Sequence, residues 1–166
     1  MIAALLGRAG LGLGIAELRK AELGDGLITA IEKAFIDDLK TFNIFKTIDH
    51  WKHQISAGQG GVEAFDKYAP FAFVSYAPPA DSSREGDGDL NQHLRFGIAL
   101  GARSKEAGAA RVLVHLWRDS LVPSFDRWHP GEGFGCDDFY FDDDQVQIDT
   151  DHRYSMNIYF KANYIK

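Results

Sequence analysis

Cysteine is almost absent from this chain: Cys136 is the only one in 166 residues. An intramolecular disulfide is therefore impossible, and a cysteine-rich zinc site is excluded. A reducing compartment fits this usage best. Basic clusters are equally scarce, with pairs such as Arg19-Lys20 the longest and a formal net charge of −6. A protein that grips nucleic acid by its phosphates needs a basic stripe. Tight DNA or RNA binding, or docking on an anionic membrane, is not expected. No apolar run approaches the roughly 20 residues that span a bilayer. The N-terminal MIAALLGRAGLGLGIAELRK lacks a positive region ahead of its leucines and is broken by glycine, a poor pattern for a signal peptide. A cytoplasmic protein is the expectation.

Aromatic residues are plentiful: 12 Phe, 6 Tyr and 3 Trp within an apolar content of 45%. That composition supports one domain with an aromatic-rich core. Residues 1–24 differ in texture, with Gly7, Gly10, Gly12 and Gly14 spaced through them. Glycine at this density weakens a helix, so 1–24 reads as an arm with a short helix over 15–23, and 25–166 as the domain. Glycines 10, 12 and 14 share part of a dinucleotide-binding fingerprint. No strand precedes them, however, and Glu17 stands where the final Gly belongs.

A helix is expected after Asp25 as N-cap, since Leu27, Ile28, Ile31, Ala34, Phe35, Leu39 and Phe42 recur at helical spacing. A β-like stretch over 44–52 and a Gly-rich loop over 57–61 follow. PFAFVSYAPP (70–79) reads as a strand and ADSSREGDGDLNQ (80–92) as a polar loop. HLRFGIALGAR alternates through Leu94, Phe96, Ile98 and Leu100 as a half-buried strand. A second helix is expected over 105–122, burying Ala110, Leu113, Val114, Trp117 and Leu121, with Pro123 ending it. Two strands close the chain. The last places Tyr154, Met156, Ile158, Phe160, Ala162 and Tyr164 on one face, after a turn at 149–151. The order α-β-β-β-α-β-β predicts an α+β fold, a mainly antiparallel sheet packed with helices. Phe35, Phe96, Trp117, Ile158 and Phe160 are expected to share its core.

Groups able to do chemistry are few. His50 and His53 are three apart, which in a strand sends them to opposite faces, so a metal pair is not expected. Cys136 has His129 and His152 near it in sequence, but no nucleophile signature surrounds it, and neither a G-x-S-x-G nor a Walker loop occurs. The most distinctive segment is GCDDFYFDDDQVQIDTD (135–151), with seven aspartates and no Lys or Arg. It lacks the Gly and Glu of an EF-hand loop. Asp142, Asp143 and Asp144 interrupt the alternation of Phe139, Phe141, Val146 and Ile148, which predicts a bulge or exposed tip with splayed carboxylates. A small metal-dependent hydrolase built on 137–151 with His129 or His152 is the competing reading, and a monomeric binding module is a third.

From Asp25 to Lys166 the order of elements resembles the tail terminator (tail completion) proteins of long-tailed phages, more narrowly the small tail-region protein of Mu-like phages and prophages. The similar stretches are LITAIEKAFIDDLKTF, PFAFVSYAPP, LRFGIALGAR leading into ARVLVHLWRDSL, and RYSMNIYFKANYI. The resemblance implies a structural protein without enzymatic activity or cofactor. It implies a homo-oligomeric ring, usually a hexamer, that caps the tail tube and meets a neck or head-completion protein in the phage particle. DNA would pass through such a ring without specific binding. Asp142, Asp143 and Asp144 are then expected to face solvent, either on an outer surface or in the lumen, where like charge would keep DNA from adhering.

Overall fold

The computed structural model describes residues 26–55, 59–77 and 93–163. The arm over 1–24, the Asp25 cap, the loop over 80–92 and Tyr164 lie outside them. Helix α1 runs Leu27–Lys40, strand β1 Thr47–His50, helix α2 Gln59–Tyr68, and strands β2 and β3 Phe71–Tyr76 and His93–Arg103. Helix α3 spans Ala109–Phe125, and strands β4 and β5 span Tyr140–Asp149 and Arg153–Asn163. The strands form one mixed sheet in the order β1-β2-β3-β5-β4. Every pairing is antiparallel except β1 with β2. The class is α+β, as the element order predicts.

One element departs from expectation. A third helix, α2, occupies much of what reads as a glycine loop, beginning at Gln59. The glycines disfavour it locally, but Phe65 is buried against Phe71, Phe73 and Ala69. That burial outweighs the propensity. It also resolves a topological need, because parallel strands require a crossover of a dozen or more residues. The segment between β1 and β2 supplies one.

The larger core lies between the sheet and the pair α1 and α3. Phe35 is fully buried and sits 5.8 Å from Phe96, 5.4 Å from Phe125 and 4.0 Å from Trp128, centroid to centroid. Ile158 and Phe160 are buried in the same cluster. Trp117 is only partly buried at its margin, edge-on to Phe45 at 5.1 Å. Gly26, at φ 96°, stands at the N-cap of α1.

Helix α3 passes through Pro123 and ends at Phe125. Proline removes a backbone hydrogen bond there. The extra turn carries Phe125 into the core beside Phe35 and Phe160, and that burial offsets the loss. Leu113 faces outward instead of inward. With Val112 (59% exposed) and Leu116 (57% exposed) it leaves an apolar stripe on the outer side of α3.

Candidate functional site

Among the described residues, the opposite face of the sheet is only partly covered. On β3 the residues between the core positions are Arg95, Gly97, Ala99, Gly101 and Arg103. Their small centre lets rings lie flat on the strand. A Cβ at Gly101 would meet the Phe71 ring at 2.1 Å, and one at Gly97 would meet the Tyr159 ring at 2.9 Å. Between these two rings lies a recess of about 410 Å³. Ala99, Ser75, Ser155 and Asn157 line it with Trp51, Ile55, Phe65 and Ile148. Asn157 donates from Nδ2 to the Tyr159 hydroxyl at 3.1 Å.

The three central aspartates border this face and take separate places. The ladder of β4 with β5 shifts between Phe141 and Asp143, the bulge that three consecutive aspartates predict. Asp143 pairs with Tyr159 and so lies on the open face, whereas Asp144 pairs with Ile158 and points to the helix side. Asp142, inside the bulge, turns to the open face.

Two of the three are not free carboxylates. Asp142 accepts from Arg95 Nε at 2.7 Å and lies 2.7 Å from Lys161 Nζ. Asp144 accepts from Arg118 Nε at 2.9 Å. Only Asp143 is exposed, and it caps the backbone N–H of Asp144 at 2.8 Å. The carboxylates are splayed, but the expectation that all three are exposed is corrected, because Asp142 and Asp144 are ion-paired and only part-exposed. Cations distant in sequence converge on them because β3, β5 and α3 pack beside β4. Burial pushes the Asp142 carboxyl up, but the hydrogen bonds and charges of Lys161 and Arg95 outweigh it, and its pKa is lowered.

A second ion cluster joins α2 to the sheet. Arg153 grips Asp66 with two hydrogen bonds, Nε to Oδ1 at 2.7 Å and Nη2 to Oδ2 at 2.6 Å. Arg103 lies 3.6 Å from the same carboxylate. The Arg153 hydrogen bond holds Asp66 below the usual carboxylate range, against the opposing effect of burial.

The remaining candidates do not assemble. His50 contacts Glu32 through Nδ1 at 2.9 Å, while Glu32 also accepts from the Tyr76 backbone N–H at 2.7 Å. His53 lies beyond β1 with φ 58° and stacks edge-on to Trp51. His129 Nε2 addresses the backbone carbonyl of Cys136 at 3.1 Å, not its thiol. Burial first, then the charges of Asp137 and Asp138, pushes that thiol up to about 11, so it stays protonated at neutral pH. His152 sits in the turn between β4 and β5. Among the described residues no group of three His, Cys, Asp or Glu is placed to hold a metal ion.

Sequence reasoning missed Arg95, Arg118, Lys161 and the Asp66–Arg153 pair. Alternation about Leu94, Phe96, Ile158 and Phe160 does assign Arg95 and Lys161 to the second face. It does not tell which carboxylate they meet. The run Gly97, Ala99, Gly101 was the available signal for the recess, since small residues on a strand mark close approach. No protein-family model matches this chain, and no curated protein matches it.

Proposed function

We propose that this protein is a structural ring subunit, a tail terminator that caps a phage tail tube and joins it to the neck or head. The observation that carries the reading is the placement of two unlike surfaces on opposite sides of one sheet. The apolar stripe of α3 (Val112, Leu113, Leu116) faces outward from the helix layer. The half-covered sheet face, with its recess, looks the other way. Contact between unlike patches of identical subunits is heterologous, and such contacts close into rings when the rotation allows. An isologous dimer would need one self-complementary patch.

The acidic balance of the chain supports the same reading. A lumen that attracted phosphate would retain passing DNA, and net negative charge avoids this. Asp143 is the carboxylate available for that role, since Asp142 and Asp144 are engaged by cations. Incubating the full chain with preassembled tail-tube protein and imaging the tube ends by electron microscopy tests the proposal. Rings seated on one end of each tube are expected. Bare tube ends at saturating protein would contradict it.

A further inference from the structure

The recess on the sheet face has the character of a ligand site, and this holds independently of the ring proposal. Its volume of about 410 Å³ falls within the range of small-ligand pockets, roughly 300–1,000 Å³. Aromatic walls surround it: Trp51 packs 5.8 Å from Phe73, and Phe65 packs 5.2 Å from Phe71. None of the described residues that line it carries a charge. An ionised ligand would lose its hydration there without a counter-charge.

The second observation is Ser155. It is the buried polar side chain among the described residues, 6% exposed, and it lines the recess. No enclosed side-chain nitrogen or oxygen among the described residues is left without a hydrogen-bond partner, so Ser155 counts here as a polar group on the wall of the recess. A serine hydroxyl on the wall of an apolar recess can both donate to and accept from a guest. Ser75 and Asn157 add polar atoms to the same floor.

We propose that this recess binds a neutral aromatic ring carrying a hydroxyl or amide group, with the ring between Phe71 and Tyr159 and its polar atom on Ser155. The Phe71 and Tyr159 rings, lying over Gly101 and Gly97, bracket Ala99 and leave a slot above it. Aromatic walls favour an aromatic guest through offset and edge-on contacts. The polar floor distinguishes phenol-like rings from plain hydrocarbons.

The test uses p-cresol, toluene and p-tolyl phosphate as probes of the full chain, followed by two-dimensional NMR. Saturable shifts are expected at the Trp51 indole N–H and the backbone amides of Ala99 and Ser155. p-Cresol should bind about fivefold tighter than toluene, one hydrogen bond's worth, and p-tolyl phosphate should not bind. Ser155→Ala should bring p-cresol down to the affinity of toluene, while Ala99→Leu should remove both from a chain whose amide spectrum stays dispersed. A native mass at saturating p-cresol identifies the source of the ring. Loss of an oligomer assigns it to a neighbouring chain's side chain, and an unchanged mass assigns it to a free small molecule. No saturable shift in the recess, equal binding of toluene and p-cresol, or undiminished binding by Ser155→Ala would overturn the proposal.

Discussion

Arg95 donates from Nε to Asp142 at 2.7 Å across 47 residues of sequence. The same guanidinium lies over the Tyr159 ring, 3.9 Å from its centroid. One arginine therefore links the acidic bulge of β4, the β3 strand and the wall of the recess. Asp142→Lys would set a third cation beside Arg95 and Lys161. It is expected to destabilise the chain by about 1–3 kcal/mol, allowing for solvent screening of these part-exposed groups. Asp143→Lys, at an exposed position with no cation partner among the described residues, should change stability by no more than about 0.5 kcal/mol. Urea melts of the two variants check the contrast. Equal effects would show that the three aspartates act as one surface.

The core prediction concerns Phe160, fully buried and within ring contact of Phe35, Phe125 and Phe141. Phe160→Ala should cost about 3–5 kcal/mol, the transfer free energy of the ring together with the cavity it leaves. An unchanged melting temperature would refute the face assigned to β5.

Close approach makes a separate prediction at Gly101. Its missing Cβ is the space that the Phe71 ring occupies, and Phe71 is packed by Phe65 and Phe73. The ring cannot retreat freely. Gly101→Ala should destabilise by about 1–3 kcal/mol through overpacking, with the loss visible in α2, whose Phe65 rests on that ring. Hydrogen exchange of the α2 amides reports it.

Acid should weaken the fold through Asp66 and Asp142. Both carboxyls are held below the usual range, Asp66 by Arg153 and Asp142 by Lys161 and Arg95. A lowered folded pKa means the unfolded chain binds the proton first. The stability these groups contribute is complete above the unfolded carboxylate value of about 4. It is lost as pH falls through their lower folded values. Asp66→Asn with Asp142→Asn should flatten the decline of stability between about pH 4 and pH 2, measured by urea melts across that range. A slope identical to that of the unaltered chain would show that other groups govern the acid limb.

The sheet and its main core were legible because alternation at Leu94, Phe96, Ile98 and Leu100 and at Met156, Ile158 and Phe160 has a single buried phase. Helix α2 was not, since its glycines mask a helix that long-range burial of Phe65 makes stable. Pro123 misled in the same way, because the local rule ends a helix there and the burial of Phe125 continues it. Leu113 fits a helical pattern, yet apolar identity alone does not say which side of α3 meets the sheet. The aspartate bulge was visible from three carboxylates in a strand. Its partners were not, because Arg95, Arg118 and Lys161 reach it through strand order and helix packing.

The mass of the full chain under native conditions tests the ring most directly. The ring proposal predicts a closed species at six times the 18.5 kDa of one chain, converted to monomer by Val112→Lys with Leu116→Lys while the monomer's melting temperature is kept. A chain that stays monomeric up to high micromolar concentration, alone and with tail-tube protein, would contradict it.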